Sequence, residues 1–335
     1  MLCAVVIAGE FMAYGPNVHN YSADAERNGS TVDISVSTSG SDTYSAIVMD
    51  NGTHPAMTQL YIYSDIRYDE FFDDASDFIK MKKLNFNYTV DQIIRTLSVR
   101  GFDKISVLYD KELLEAMESD ITGPVSKGLL LLSYGLPESI YSGSPDDVLF
   151  KWIEQGGFVY SMSSPLGMFY HSDDGLVTVD DFQDLFFGKE CMNPVVESVM
   201  STTDIAHGVI DGNGLTKALA LKWNRIQYAL DVSSISGAFA MGFSEGNYST
   251  VSMVPFGSGM ICVLGGIYDR QQCDDFSQII ASGVSCYTQV IEIHQGSFTR
   301  ESVNLHSDIP AGMTNVSVFV SIGGYYVTYG RMIQC

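Results

Sequence analysis

Four consecutive leucines, Leu129–Leu132, lie between Gly128 and Ser133, and this run constrains the fold more than any other segment. A strand with one buried face alternates apolar and polar residues. A continuous apolar run bounded by turn residues is typical of a strand buried on both faces. Strands of that kind lie in parallel sheets that helices cover on each side. The run therefore predicts the centre of an α/β domain.

Strand-like and helix-like segments alternate on either side of the leucine run. Apolar residues at helical spacing predict helices over Asp91–Val99 and Lys111–Glu118. The alternation predicts an α/β domain over residues 59–287, with a flavodoxin-like parallel sheet and helices on both faces. The apolar runs expected as its central parallel strands are 128–133, 158–161 and 260–264.

The two ends of the chain have a different pattern. Residues 16–58 and 288–335 contain short alternating segments such as Thr31–Ser37 and Val316–Val320, which predict β-strands. Each end is too small to bury a core alone, so we expect them to pair into one β-sandwich with the α/β domain inserted between them. Residues 1–15 contain an apolar run that fits either the remainder of a signal peptide or a first strand.

Six N-x-S/T sequons predict an exported, N-glycosylated chain. Their number exceeds the chance expectation, although a chain rich in Ser and Thr also forms sequons without any role. Sequons mark exposed segments of exported proteins, so we expect an extracellular or cell-surface location. The chain has no apolar stretch of about eighteen residues, so a membrane anchor is expected only outside it. The predicted glycosylation sites are Asn20, Asn28, Asn51, Asn87, Asn247 and Asn315.

The net charge of the chain argues against some classes of binding partner. Lys and Arg number 18 against 40 Asp and Glu, which gives a formal net charge of −22. An acidic surface repels phosphate backbones, so no nucleic-acid partner is expected. No nucleotide is expected either, because the glycines of Gly257–Gly259 precede a strand, whereas a dinucleotide site needs them after one. The acidity fits either solubility outside the cell or binding of a cation such as calcium.

The cysteines predict one disulfide. No CxxC pair is present and no His lies at a zinc-ligand spacing, so a structural zinc is not expected. An exported chain permits disulfides, and Cys273 and Cys286, which flank a short helix–turn segment, are the predicted pair. Cys262 lies in an apolar strand and is expected to be a buried thiol. The six cysteines are Cys3, Cys191, Cys262, Cys273, Cys286 and Cys335.

Four segments carry a family resemblance. Gly128–Pro137 is a strand followed by a loop, Leu149–Gly157 is a helix that ends in two glycines, Asp211–Thr216 is a turn, and Phe256–Gly266 is a Gly-x-Gly turn leading into an apolar strand. In these segments the chain resembles the class I glutamine amidotransferase-like superfamily, in its ThuA-like branch. The resemblance covers under half the chain. It implies a degenerate extracellular member and says little about activity.

The resemblance places a nucleophile on the turn after the strand Phe158–Ser161, where this chain has no cysteine. Ser163 or Ser164 occupies that region, and Pro165 restricts Ser164 to extended angles that a strained turn does not allow. A serine hydrolase using Ser163 with His171 and Asp173 is one interpretation. The other is a polar loop without a catalytic site.

An acidic cluster follows His171. The candidate metal ligands are Asp173, Asp174 and Asp180. Clustered carboxylates on a loop can bind calcium, but their spacing fits no EF-hand. Asp180 also fits the start of a predicted helix over Asp181–Phe187, where the helix dipole favours carboxylates.

These observations favour a non-catalytic extracytoplasmic surface protein, a binding or structural module of a prokaryotic cell envelope. Its expected partners are other envelope proteins or glycans, and no cofactor is expected. Two alternatives stay open. One is a hydrolase acting on carbohydrate or amide substrates at the loops that follow the parallel strands. The other is a subunit of an envelope complex that docks through a sandwich edge.

Overall fold

The structure is a computed structural model. It describes residues 21–40, 42–54, 56–64, 89–133, 135–162, 165–194, 215–219, 221, 228–243, 248–264, 270–323 and 328–335. The predicted signal-peptide remnant or first strand at 1–15 lies outside these residues. So do Cys3, Ser163 and the sequon asparagines Asn20, Asn87 and Asn247.

The described residues contain nineteen strands. They are β1 (Tyr21–Asn28), β2 (Thr31–Thr38), β3 (Thr43–Asp50), β4 (Gln59–Tyr63), β5 (Ile105–Leu108), β6 (Lys127–Leu131), β7 (Leu136–Pro137), β8 (Phe158–Ser161), β9 (Phe169–Ser172), β10 (Gly175–Thr178), β11 (Met192–Pro194), β12 (Tyr228–Asp231), β13 (Phe239–Phe243), β14 (Tyr248–Phe256), β15 (Gly259–Leu264), β16 (Gln289–Ser297), β17 (Ser302–Asp308), β18 (Val316–Gly323) and β19 (Thr328–Gln334).

The same residues contain six α-helices and one 3₁₀ turn. They are α1 (residues 89–99), α2 (Asp110–Asp120), α3 (Val148–Glu154), α4 (Phe182–Phe187), α5 (Leu215–Ala218), α6 (Arg270–Ser282) and the 3₁₀ turn Val232–Ser234. Within this part of the chain, no helix has the length and apolar content needed to cross a lipid bilayer.

The largest sheet, here called the central sheet, has nine strands. Its order is β11-β12-β14-β15-β8-β6-β4-β5, and β13 also pairs with β14. The five strands from β15 to β5 are parallel, whereas β11 to β14 are antiparallel. The leucine run lies in β6, an interior strand between β4 and β8, and both of its faces are buried.

Helices cover both faces of the parallel strands. Leu130, Tyr160 and Cys262 share one apolar core with α1, α5 and α6. Leu129 and Val159, on the opposite face, share a second core with α2, α3 and α4. Because successive residues of a strand point to opposite faces, a continuous apolar run serves both cores at once.

The terminal segments form two further sheets that face each other. The outer sheet has the order β1-β2-β17, and the inner sheet has the order β16-β3-β18-β19. Alternate residues of β2 and β18, such as Val32, Ile34, Val318 and Val320, form the core between them. The ends of the chain are therefore paired directly: β2 with β17, and β3 with β16 and β18.

The second face of the inner sheet is also covered. Ile47, Met49 and Phe319 point away from the outer sheet and belong to the same apolar core as α6. The Gln278 amide of α6 donates a hydrogen bond to Ser321 Oγ of β18 at 3.4 Å. The outer sheet, the inner sheet, one helix layer, the central sheet and a second helix layer therefore follow one another.

The predicted flavodoxin-like α/β fold class is wrong for this chain. Strands account for 44% of the described residues and helices for 21%, and the strands lie in four sheets. The five parallel strands are one part of a sheet that continues through antiparallel strands, because the described residues between β8 and β15 form six strands and only the two short helices α4 and α5. The chain is mostly β.

The predicted Cys273–Cys286 disulfide is also corrected. The described cysteines are free thiols, and Cys273 and Cys286 are among them. Cys273 lies in the first turn of α6 and Cys286 lies beyond its end. No pair of described cysteines lies at the distance that a disulfide requires. Cys262 is a fully buried thiol, as its strand pattern predicts.

Candidate functional site

Open sheets with parallel strands bind ligands beyond the carboxyl ends of those strands, so this edge of the central sheet is the first place to look. Ser133, after β6, is 6% exposed, and Ser161, at the end of β8, is 3% exposed. Met162, the next residue after β8, is fully buried. The described residues directly after β6 and β8 are therefore buried, whereas Tyr109, directly after β5, is 53% exposed.

A small three-stranded sheet covers this edge. Its order is β10-β9-β7, and Leu136 of β7 pairs with Tyr170 of β9. The Glu138 amide donates to the carbonyl of His171 at 3.0 Å, and the Tyr141 hydroxyl donates to the carbonyl of Gly167 at 2.8 Å. These bonds fix the loop that follows β6 against the loop that follows β8.

The proposed hydrolase residues lie in unlike environments. His171 is 3% exposed within β9, and its ring fills the space beside Gly135, where a Cβ would lie 2.9 Å from Nε2. Asp173 is exposed in the two-residue turn between β9 and β10. Ser163 lies outside the described residues. A buried imidazole and an exposed carboxylate do not form the base and orienting partner that acyl transfer needs.

The predicted metal ligands do not form a metal site in the described structure. Asp173 and Asp174 are exposed in the turn between β9 and β10, and Asp180 is exposed just before α4. Among the residues that the structure describes, no group of three or more His, Cys, Asp or Glu side chains is placed to hold a metal ion.

A polar groove of about 420 Å³ runs across the outer sheet. Asp24, Glu26 and Asp33 supply its carboxylates. His306 Nδ1 lies 2.7 Å from Asp33 Oδ1. This hydrogen bond raises the pKa of His306 and lowers that of Asp33. Both side chains are more than half exposed, so the ion pair contributes little to stability.

A denser polar cluster lies at the opposite end of the parallel strands. The segment from β3 to β4 and the segment from α6 to β16 connect the inner sheet to the rest of the chain, and they meet here. We call this cluster the junction; its residues are Asn51, His54, Tyr287, Thr288 and Asn315. The rings of His54 and Tyr287 are stacked, with centroids 3.5 Å apart and planes 9° from parallel.

Hydrogen bonds fasten the junction. Thr288 Oγ1 donates to Asn51 Oδ1 at 2.7 Å, and Asn315 Nδ2 donates to the carbonyl of His54 at 2.7 Å. The Tyr287 hydroxyl donates to the carbonyl of Gly259 at 2.6 Å, which links the cluster to the β14–β15 turn. Partial burial lowers the pKa of His54, and a hydrogen bond to the backbone of Ser258 opposes that shift.

Sequence reasoning missed the junction. Its contacts join positions up to 264 residues apart, such as Asn51 and Asn315, and no local pattern marks them. The one available signal was that Asn51 and Asn315 both belong to sequons that directly adjoin predicted strands. Of the sequon asparagines described, Asn28 is exposed, Asn315 is half-buried and Asn51 is 4% exposed.

No family model and no curated protein matches the chain. Solved structures that align with it include a β-galactosidase from Rahnella sp. R3, with 15% identity and a TM-score of 0.37, covering 81% of this chain and 36% of that one. A β-galactosidase from Bacillus circulans sp. alkalophilus aligns with 11% identity and a TM-score of 0.37, covering 81% and 35%. The chain spans about a third of the length of these chains. The resemblance to the amidotransferase-like superfamily stays a prediction.

Proposed function

We propose that this chain is a non-catalytic extracytoplasmic surface protein, a binding or structural module of a prokaryotic cell envelope. Its partners are other envelope proteins or glycans. The observation that supports the non-catalytic part is the separation of two predicted catalytic residues: the His171 ring is buried in β9, whereas Asp173 is exposed in the turn that follows.

The layered core supports a structural role. The inner sheet shares its apolar core with α6, and the junction fastens both connecting segments. A rigid body of this kind holds its outer surfaces in a fixed geometry. The outer sheet presents Ser, Asp, Asn and His side chains to solvent in cross-strand rows, such as Asp24, Ser35 and Asn304.

Docking into an envelope complex is the second candidate. Strands β1 and β17 form the edges of the outer sheet, and β16 and β19 form the edges of the inner sheet. An edge strand presents unpaired backbone groups to which another chain can add a strand. Strands β16 and β17 contain no Lys or Arg, so these two edges lack the positive charges that often discourage such pairing.

Localisation and reactivity together test the proposal. Intact native cells are treated with a protease that does not enter them, with a cytoplasmic protein as control. We expect loss of this chain and retention of the control. A serine-directed activity probe is then applied to the purified chain and to Ser163→Ala. Labelling that Ser163→Ala abolishes would establish the hydrolase instead, and protection from the protease would refute the surface location.

A further inference from the structure

Two predicted glycosylation sites lie in opposite surroundings. Asn28 and Asn51 each begin a sequon. Asn28 is the last residue of β1, and Asn51 directly follows β3. Asn28 is exposed, whereas Asn51 is 4% exposed. Both motifs are Asn-Gly followed by a hydroxyl residue, Ser30 at one site and Thr53 at the other, and the fold places the two asparagines in different surroundings.

Asn28 lies at a hairpin tip that leaves room for a sugar. Gly29 and Ser30 form the turn to β2, and Gly29 has a φ of 66°, a left-handed conformation that glycine adopts without strain. Asn28 Nδ2 donates to Asp33 Oδ2 at 2.9 Å. A glycosylated amide retains one hydrogen on Nδ2, so this bond survives the modification.

Asn51 is enclosed. Its Oδ1 accepts from Thr288, its backbone amide donates to the carbonyl of Asn315 at 3.1 Å, and its carbonyl accepts from the amide of His54 at 3.0 Å. The cavity that Asn51 lines measures about 10 Å³. That is the space of about one water molecule, and a sugar ring does not fit.

Asn51 lies where two segments of the junction meet, so its enclosure affects how those segments pack. Thr288 precedes β16, and Asn51 follows β3, the strand with which β16 pairs. His54 lies three residues after Asn51, and Tyr287 lies one residue before Thr288. Their stacked rings join the same two segments. A sugar on Asn51 would separate the segments and prevent the junction from closing.

We infer that Asn28 accepts an N-linked glycan while Asn51 remains unmodified and holds the junction closed. The inference rests on the proposed export of the chain. In the transfer, Asn28 Nδ2 forms a bond to C1 of a sugar donor activated as a phosphate ester. The bond from C1 to the phosphate oxygen breaks, the phosphate leaves with the electron pair, and one amide proton is lost to a base.

The glycan test uses the full chain behind a secretion signal in a host that N-glycosylates exported proteins. The matched variants are Ser30→Ala and Thr53→Val, which remove one sequon each and leave both asparagines in place. Site-resolved peptide mass spectrometry is the readout. We expect a glycopeptide containing Asn28, its loss in Ser30→Ala, and an Asn51 peptide without glycan in the wild type and in Thr53→Val.

The second measurement tests the role of Asn51 without touching its sequon. Thr288→Val preserves the shape of the side chain and removes the hydroxyl that donates to Asn51 Oδ1 and accepts from the Ser285 amide at 2.8 Å. We expect its Tm to fall by about 2–4 °C relative to Thr53→Val, a matched change at an exposed threonine.

Each outcome decides the inference. A glycan on Asn51 in the folded secreted chain overturns it, as does an unmodified Asn28 or an equal Tm for Thr288→Val and Thr53→Val. The host supplies export in this experiment, so a failure here leaves the native surface location untouched. Conversely, protection from protease in native cells refutes the proposed function without altering the site contrast measured in the host.

Discussion

The two sheets of the terminal sandwich use the same sequence pattern for different surroundings. In β2, Val32, Ile34 and Val36 face the sandwich core, and Asp33 and Ser35 face solvent. In β18, alternate Val and Ile residues face the same core, and the intervening residues include two serines. Those serines do not face solvent, because α6 covers them.

This difference shows that alternating apolar residues identify one buried face of a strand and do not tell whether the other face is buried or exposed to solvent. Ser317 and Ser321 of β18 are buried, with Phe319 between them. Charge is the signal that separates the cases. The face of β18 that points away from the sandwich core has no ionisable residue at positions 317, 319 and 321. The corresponding face of β2 includes Asp33. Small hydroxyls allow a helix to approach closely, and a carboxylate at the same place would need water.

The largest expected effect comes from placing a charge on the covered face. Ser317→Asp introduces a carboxylate at a fully buried position. An unpaired buried ion costs several kcal/mol, so we expect the free energy of unfolding to fall by about 4–5 kcal/mol. Urea denaturation followed by circular dichroism measures this change.

The control for that variant is Ser302→Asp, the same substitution on the exposed face of β17. Ser302 pairs with Ser37 of β2, so the new charge has no acidic residue directly opposite. We expect a change within about 0.5 kcal/mol. Equal losses in the two variants would mean that the faces do not differ in solvation.

The next effect concerns the helix layer that covers the inner sheet. The buried Arg100 side chain, directly after α1, donates to Gln278 Oε1 at 2.7 Å and to Asp274 Oδ1 at 2.6 Å, both on α6. Gln278 in turn bonds Ser321. Burial lowers the pKa of Arg100, and Asp274 opposes that shift. Arg100→Met leaves Asp274 without its partner, so we expect a loss of about 3 kcal/mol in unfolding free energy.

Arg95→Met provides the comparison within α1. Arg95 is exposed one turn earlier in α1, and its replacement is expected to change the unfolding free energy by less than about 0.5 kcal/mol. A small effect for Arg100→Met would show that apolar packing alone holds α6 on the inner sheet.

The smallest effect is a pH dependence at the junction. The folded chain lowers the pKa of His54 below 6.5, so the unfolded chain takes up the proton first as pH falls. Stability that His54 contributes above pH 6.5 is lost as pH drops towards the folded pKa. We therefore expect the Tm difference between wild type and His54→Gln to shift against the wild type from pH 7.5 to 5.5.

His306 on the outer sheet sharpens this measurement. Asp33 raises its pKa, so its contribution has the opposite sign: it is present below pH 6.5 and lost as pH rises. Because the ring is exposed and the pair is screened, His306→Gln should follow the wild-type profile across the same range. Parallel profiles for His54→Gln would remove the junction as a source of pH dependence.

Several elements follow from the sequence alone. The helix predicted at Lys111–Glu118 lies within α2, and the leucine run, Phe158–Ser161 and residues 260–264 are neighbouring parallel strands. These segments have local patterns strong enough to identify their type, because both faces or one full helical stripe are buried. The hairpin at Gly257 also follows from its glycines.

Other elements could not be predicted because distant contacts decide them. Ser144 and Pro145 are residue types that favour the first positions of a helix, but α3 begins at Val148. Asp147 Oδ2 instead accepts the amide of Ser144 at 3.0 Å, so residues 144–147 form a turn. The antiparallel strands between β8 and β15 have short, mixed patterns that fit loops as well as strands, so local patterns do not reveal the antiparallel half of the central sheet.

The candidate sites divide in the same way. Residue types and spacing drew attention to His171 and Asp173, but only the fold shows that one is buried and the other exposed. The sequons marked Asn28 and Asn51 alike, and only packing against Thr288 separates them. Sequence identifies which chemistry a residue offers, and burial decides whether that chemistry is accessible.

The pairing of the chain ends sets an order of events during synthesis. Thr31 of β2 pairs with Asp308 of β17, which the ribosome adds 277 residues later. At about 5–20 residues per second, β2 waits roughly 15–55 s for its partner. Throughout that interval β1 and β2 remain a two-stranded hairpin with an uncovered apolar face. The sandwich therefore closes only after β17 and β18 have been synthesised, near the end of the described strands.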